Sequence, residues 1–125
     1  MKKVDDTKFS FEDLEVWQEA VDFSLKIINI IENLQTERKH YRLIEQLESA
    51  STSIALNIAE GKGRYSKKEF IQFLYIAKGS LFETIALLMI FYRSAWINEA
   101  QLAELKKIGN RIGKMISSLI SSIKS

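Results

Sequence analysis

The chain has 125 residues, 46% of them hydrophobic and 27% charged, which is enough for one domain with a substantial core. It contains no cysteine and a single histidine, which excludes disulfides, thiolate metal sites and cysteine catalysis. A formal net charge of +2 does not imply a nucleic-acid partner unless the cations cluster.

Residues 1–10 read as a flexible tail, polar enough ("MKKVDDTKFS") to predict no secretion leader. A single domain then covers 11–125. Ser10 and Asp13 form an S-x-x-D capping pattern, and apolar residues recur from Leu14 to Leu34, predicting a first helix. "QTERKH" is a polar break. A second helix is expected from Tyr41 to Glu60, with Leu43, Leu47, Ala50, Ile54 and Ile58 at helical spacing and Gly61 as its C-terminal cap. Ser66 and Glu69 make a capping box for a third helix running from Lys67 to Arg93. "SAWIN" interrupts it. Asn98 with Gln101 caps a fourth helix from Glu99 to Ile123, whose apolar line (Leu102, Leu105, Gly109, Ile112, Ile116, Leu119, Ile123) alternates steps of three and four. No strand-length stretch alternates with period two. The expected fold is all-α, an antiparallel up-down-up-down four-helix bundle.

The corner "NIAEGKGRYSKKEF" (Asn57–Phe70) carries two glycines and four cations, Lys62, Arg64, Lys67 and Lys68. It follows a helix rather than a strand and matches no phosphate-loop pattern. It therefore reads as a structural turn built from Asn57, Glu60, Gly61, Arg64, Ser66 and Glu69, with Arg64 bridging to Glu60 or Glu69. A second basic cluster, Arg38, Lys39, Arg42 and Arg93, with His40 beside it, falls at the other end of such a bundle, and Lys106, Lys107, Arg111 and Lys114 run along the fourth helix.

Two helices carry more apolar surface than a monomeric bundle needs. In helix one, the stripe Leu14, Trp17, Val21, Ile28 and Ile31 lies beside a second stripe containing Val16, Phe23, Ile27 and Ile30, over an arc of about 220° where about 100° usually suffices. The second stripe, with part of helix three, is expected to lie between chains of a homo-oligomer. Helix three is apolar from Phe70 to Tyr92, but Lys78 and Glu83 near its middle favour a central bundle helix over a membrane span. Gly79, Gly109 and Gly113 suit close helix crossings.

Chemistry-bearing constellations are weak. Glu37-x-x-His40 has the spacing of a di-iron half-site, but the chain has no second histidine to complete it. Glu45 and Glu48 fall at surface-like positions, and Ser49, Ser51, Thr52 and Ser53 read as a close-packing run. No cofactor, metal or small-molecule substrate is expected, and the chain reads as a non-enzyme.

Three stretches carry a resemblance: "FEDLEVWQEA", "QLESASTSIALNIAEGKGRYSKKEFIQFLYIAKGSLFE" and "IGKMISSLI". In them the sequence resembles the four-helix-bundle proteins encoded in intervening sequences of bacterial large-subunit (23S) rRNA genes. More distantly it is similar to the accessory variability determinants of retroelements. The resemblance implies a homopentameric ring, a bacterial cytoplasmic setting and no established enzymatic activity. It also implies partners among nucleic acids or nucleic-acid enzymes. The sequence departs from that pattern at Glu48 and Ser49, where relatives commonly carry paired arginines, and lacks the usual proline before Asn57. The expected function is an oligomeric scaffold or adaptor binding RNA, DNA or a nucleic-acid-processing enzyme through its basic clusters. The alternative is a self-assembling bundle with protein partners only.

Overall fold

The computed structural model describes residues 6–34, 36 and 40–125. Among them every regular element is helical: a 3₁₀ turn at Ser10–Asp13, then α1 (Glu15–Glu32), α2 (Tyr41–Lys62), α3 (Lys67–Arg93) and α4 (Glu99–Lys124). Each long helix packs against two others: α1 on α2 and α4, α3 on α2 and α4. One core results, with Phe23, Ile27, Leu47, Ile54, Ile58, Leu74, Leu88, Phe91, Ile112 and Ile116 fully buried. The three-four line of α4 supplies Leu105, Gly109, Ile112 and Ile116 to that core.

The expected capping box is complete at α4 and half-formed at α3, where the Glu69 carboxylate accepts from the Ser66 hydroxyl rather than from its backbone N–H. Ser66 Oγ accepts from Glu69 N–H at 3.1 Å. At Asn98 and Gln101 each side chain accepts from the other residue's backbone N–H, both at 2.8 Å. The expected cap fails at the first helix. There the Phe9 N–H donates to the Glu12 carboxylate at 2.7 Å and closes the 3₁₀ turn, so α1 begins only at Glu15 and Ser10 caps nothing. Phe11 of that turn packs edge-on against Trp17, with ring centroids 4.9 Å apart.

Gly61 is not the cap of α2. The helix runs on to Lys62 with Gly63 following in a right-handed conformation. Gly61 lies inside the helix against α3, where an added Cβ would stand 2.6 Å from Phe73 Cβ and 3.0 Å from Phe70 Cδ1. Its role is close approach rather than a left-handed backbone. Gly109 is used in the same way against Ile85 Cδ1, at 2.9 Å from a built Cβ. Gly79, expected at a crossing, has nothing within 4 Å of such a Cβ.

The serine run packs closely only in part: Ser51 is buried, but Ser49 is exposed and Thr52 bonds back to the Glu48 carbonyl of its own helix. Ser24 Oγ donates to the Ser51 carbonyl at 2.9 Å, tying α1 to α2, and the Ser53 and Ser80 hydroxyls meet at 2.9 Å, tying α2 to α3. No buried side-chain nitrogen or oxygen among the described residues lacks a partner.

The largest correction concerns α1. Val16, Phe23 and Ile27, expected between chains, are buried in this chain's own core, and Ile30 packs against that core partly covered. The reason is geometric. A helix that meets α2, α4 and, through Trp17, the 3₁₀ turn uses a wider apolar arc than one meeting a single neighbour. The uncovered surplus is on α3, where Phe82 is 66% exposed, Tyr75 and Ile76 51% each, and Met89 and Ile90 are also exposed.

Candidate interaction surfaces

At the α2–α3 corner, Asn57 Nδ2 donates to the Ser53 carbonyl and to Ser53 Oγ, both at 2.8 Å, one turn back on α2. Arg64 lies one turn beyond Glu60, its guanidinium 3.7 Å from the carboxylate and 4.7 Å from the centre of the Phe73 ring. The Lys62 ammonium sits 5.8 Å over Phe70. Two of the four corner cations are thus turned onto the aromatic residues that flank Gly61, while Lys67 and Lys68, in the first turn of α3, are exposed and have no ion-pair partner among the described residues. Of the six corner residues, Asn57, Glu60 and Gly61 lie within α2, Arg64 and Ser66 in the link, and Glu69 in the first turn of α3. Glu69 faces Ser66.

At the other end, Arg42 in the first turn of α2 and Arg93 at the end of α3 are both exposed. Arg38, Lys39 and Glu37 lie outside the described residues. His40 stacks on Trp96, with ring centroids 4.0 Å apart. That contact joins the approach to α2 with the turn after α3, where Ala95 takes a positive φ of 64°.

Elsewhere several polar side chains form inter-helix pairs. Arg111 of α4 bridges Glu19 at 2.9 Å and Glu15 at 3.6 Å on α1, and Lys26 meets Glu104 at 3.0 Å. In α3, Lys78 donates to Ser117 Oγ at 3.0 Å and Glu83 accepts from Gln46 at 3.4 Å. Near the start of the described chain, Lys8 donates to Asp13 at 3.0 Å, and that bond together with the carboxylate's charge raises the Lys8 ammonium above its ordinary value. Among the described residues no three histidine, aspartate or glutamate side chains gather as metal ligands.

α3 has the length and composition of a membrane-crossing helix, and a third (33%) of its most apolar window is buried within the fold. Its outer face is ordered by sevens. Tyr75, Phe82 and Met89 form one line, Gly79 and Ala86 a second, and Ile76, Glu83 and Ile90 a third. A line of small residues between two lines that carry large ones is a valley between ridges, the relief that a second helix packs into. The sequence held this signal, but the period could be separated from the core pattern only once the buried residues of α3 were known.

The model of the family described as 23S rRNA-intervening sequence protein matches residues 12–118. A solved structure from Bacteroides thetaiotaomicron, of unknown function and from the S23 ribosomal protein family, superposes with a TM-score of 0.78. It is 28% identical over 84% of this chain and 97% of its own. No curated protein matches.

Proposed function

The chain belongs to the 23S rRNA-intervening sequence protein family, and from that premise we propose that it is a non-enzymatic, oligomeric scaffold or adaptor. In this reading several copies gather so that their basic rims meet nucleic acid or a nucleic-acid-processing enzyme in the cytoplasm. The observation that carries the reading is the exposed outer face of α3. Tyr75, Ile76, Phe82, Met89 and Ile90 stand open on one helix, and Gly79 among them has nothing within 4 Å of where its Cβ would be. A glycine inside a helix costs about 1 kcal/mol relative to alanine. Close approach by another backbone gives it a use. The strip Ile76–Gly79–Ile90 therefore replaces the α1 stripe as the proposed interface between copies.

Paired contacts whose numbers run in opposite senses support the up-down-up-down order: Gln46–Glu83 and Ser53–Ser80 between α2 and α3, Tyr75–Lys124 and Lys78–Ser117 between α3 and α4, and Glu19–Arg111 and Lys26–Glu104 between α1 and α4. The number of copies, five, rests on the family resemblance. A ring repeats Lys62, Arg64, Lys67 and Lys68 on one rim and Arg42 and Arg93 on the other, which turns a weak patch into a multivalent one.

A second reading, protein partners only, is favoured by the corner itself. Arg64 and Lys62 are spent on Glu60, Phe73 and Phe70, and Glu48 puts an exposed carboxylate on α2. Titration with mixed single- and double-stranded RNA and DNA at about 50 mM salt, where electrostatic binding is strongest, separates the two. The first reading expects sequence-independent binding that falls steeply with salt and weakens when Lys67 and Lys68 are reversed to glutamate. Absence of binding at high micromolar protein leaves the protein-only scaffold.

A further inference from the structure

Between α3 and α4 runs an open trough of about 870 Å³. Its floor and α3 wall are apolar (Leu81, Phe82, Ile85 and Met89), while α4 opposite contributes Gly109 and Gly113 together with the polar Asn110, Ser117 and Ser118. The glycines let α3 sit deep against α4; a Cβ at Gly113 would stand 3.3 Å from Leu81 Cδ2, and one at Gly109 closer still to Ile85. Three lysines, Lys78, Lys106 and Lys114, line the trough, and no carboxylate does. Lys78 is positioned by its bond to Ser117. Lys106 and Lys114 are exposed and have no ion-pair partner among the described residues. The reach from Lys78 to Met89 is about 17 Å, or roughly three turns of a helix laid along it.

We infer that this trough is the docking groove for an amphipathic helix of another protein, one with apolar residues at three-four spacing and acidic residues along the flanks. The inference rests on the adaptor reading above and names the partner's chemistry. Large side chains on one wall, glycines on the other and cations at the rim are the complement of such a helix. A second copy of this chain fits poorly. α1 exposes a single large apolar side chain, Leu25; α2 exposes Leu56 and, at its first residue, Tyr41; α4 exposes none. α4 would bring Lys106, Lys107, Arg111 and Lys114 against the same charges. α3 exposes more apolar side chains, but its strip Ile76–Gly79–Ile90 is the proposed contact between copies, and mid-helix it offers one exposed carboxylate, Glu83, held by Gln46.

The test uses the full chain and a fluorescein-labelled synthetic helix of about 18 residues, with leucines at three-four spacing and glutamates beside them, read by anisotropy. The control is the same peptide with lysines in place of the glutamates. The glutamate peptide is expected to bind at least about tenfold more tightly, an advantage that shrinks with added salt. Phe82→Ser should weaken it about tenfold, and Lys106→Glu with Lys114→Glu should reverse the order of the two peptides. These side chains are exposed, so the variants keep the fold, which circular dichroism checks. Equal binding of both peptides, indifference to the charge reversals, or no binding overturns the inference. So does displacement of the peptide by phosphatidylglycerol vesicles, which assigns the trough to lipid. Loss of peptide binding as the protein self-associates overturns it as well, in favour of a second copy. Light scattering and the nucleic-acid titration read the scaffold proposal independently, so either proposal can fail alone.

Discussion

Arg64 and Gly61 stand three residues apart and hold the α2–α3 corner by different physics. Arg64 contributes through an ion pair with Glu60 in which the two side chains are 44% and 54% exposed and through the face of Phe73. An exposed pair of this kind is worth about 0.2–1 kcal/mol, and an exposed cation–π contact adds about 0.5–1 kcal/mol. Arg64→Ala should therefore lower stability by about 1 kcal/mol in urea denaturation. An unchanged midpoint together with lost ligand binding would show that the arginine serves a ligand instead. Gly61 contributes by what it lacks. With Phe73 Cβ 2.6 Å from the position its own Cβ would take, α2 and α3 must separate to admit a methyl group. Gly61→Ala should cost about 1–3 kcal/mol, more than the loss of the arginine. If the alanine variant is as stable as the parent, the close approach is not what the glycine is for. A sequence shows that a glycine lies near a helix end. It does not show that a phenylalanine from the next helix presses on it, because Phe73 is a neighbour only after α2 and α3 have packed.

Helix boundaries were legible where the signal is local. The Asn98/Gln101 pair satisfies both of its backbone N–H groups and Ser66 satisfies that of Glu69, each across three residues, so the starts of α3 and α4 could be read directly. At the first helix two local patterns compete. Ser10-x-x-Asp13 resembles a cap, yet Glu12 reaches back to the Phe9 N–H and makes the 3₁₀ turn. Asn98→Ala should lower stability by about 1 kcal/mol, whereas Ser10→Ala should be close to neutral. Thermal melts of the two variants side by side check this, and a cost at Ser10 equal to that at Asn98 would restore serine as the cap. Face assignment was harder than boundary assignment. The apolar arcs of α1 and α3 look alike in sequence. That of α1 is consumed by α2, α4 and the aromatic contact from Phe11 to Trp17, while that of α3 is left open. Only the arrangement of neighbours separates a wide core face from a core face with a second surface beside it.

At the scale of the whole molecule, the argument for assembly depends on which apolar residues are missing from the core. Phe23 and Ile27 are fully buried and cannot be reached by a second chain without unfolding the first. Ile76 and Ile90 are about half exposed and lie seven-residue steps apart on the same line of α3, with Gly79 beside them. The two sets therefore predict opposite responses to substitution. Phe23→Ala should cost about 3–5 kcal/mol and abolish the folded state before it alters the number of copies. Ile76→Glu with Ile90→Glu removes no core contact and places charges where two apolar faces would meet, so it should leave the helical signal intact and lower the particle mass. Light scattering at micromolar concentration, with circular dichroism on the same samples, reads both. A parent protein already monomeric at that concentration removes the scaffold proposal. A parent oligomer whose mass survives the paired glutamates places the interface elsewhere on the surface. The rim clusters would then still repeat around the assembly, but about a different axis, and the exposed face of α3 would remain open to a partner of another kind.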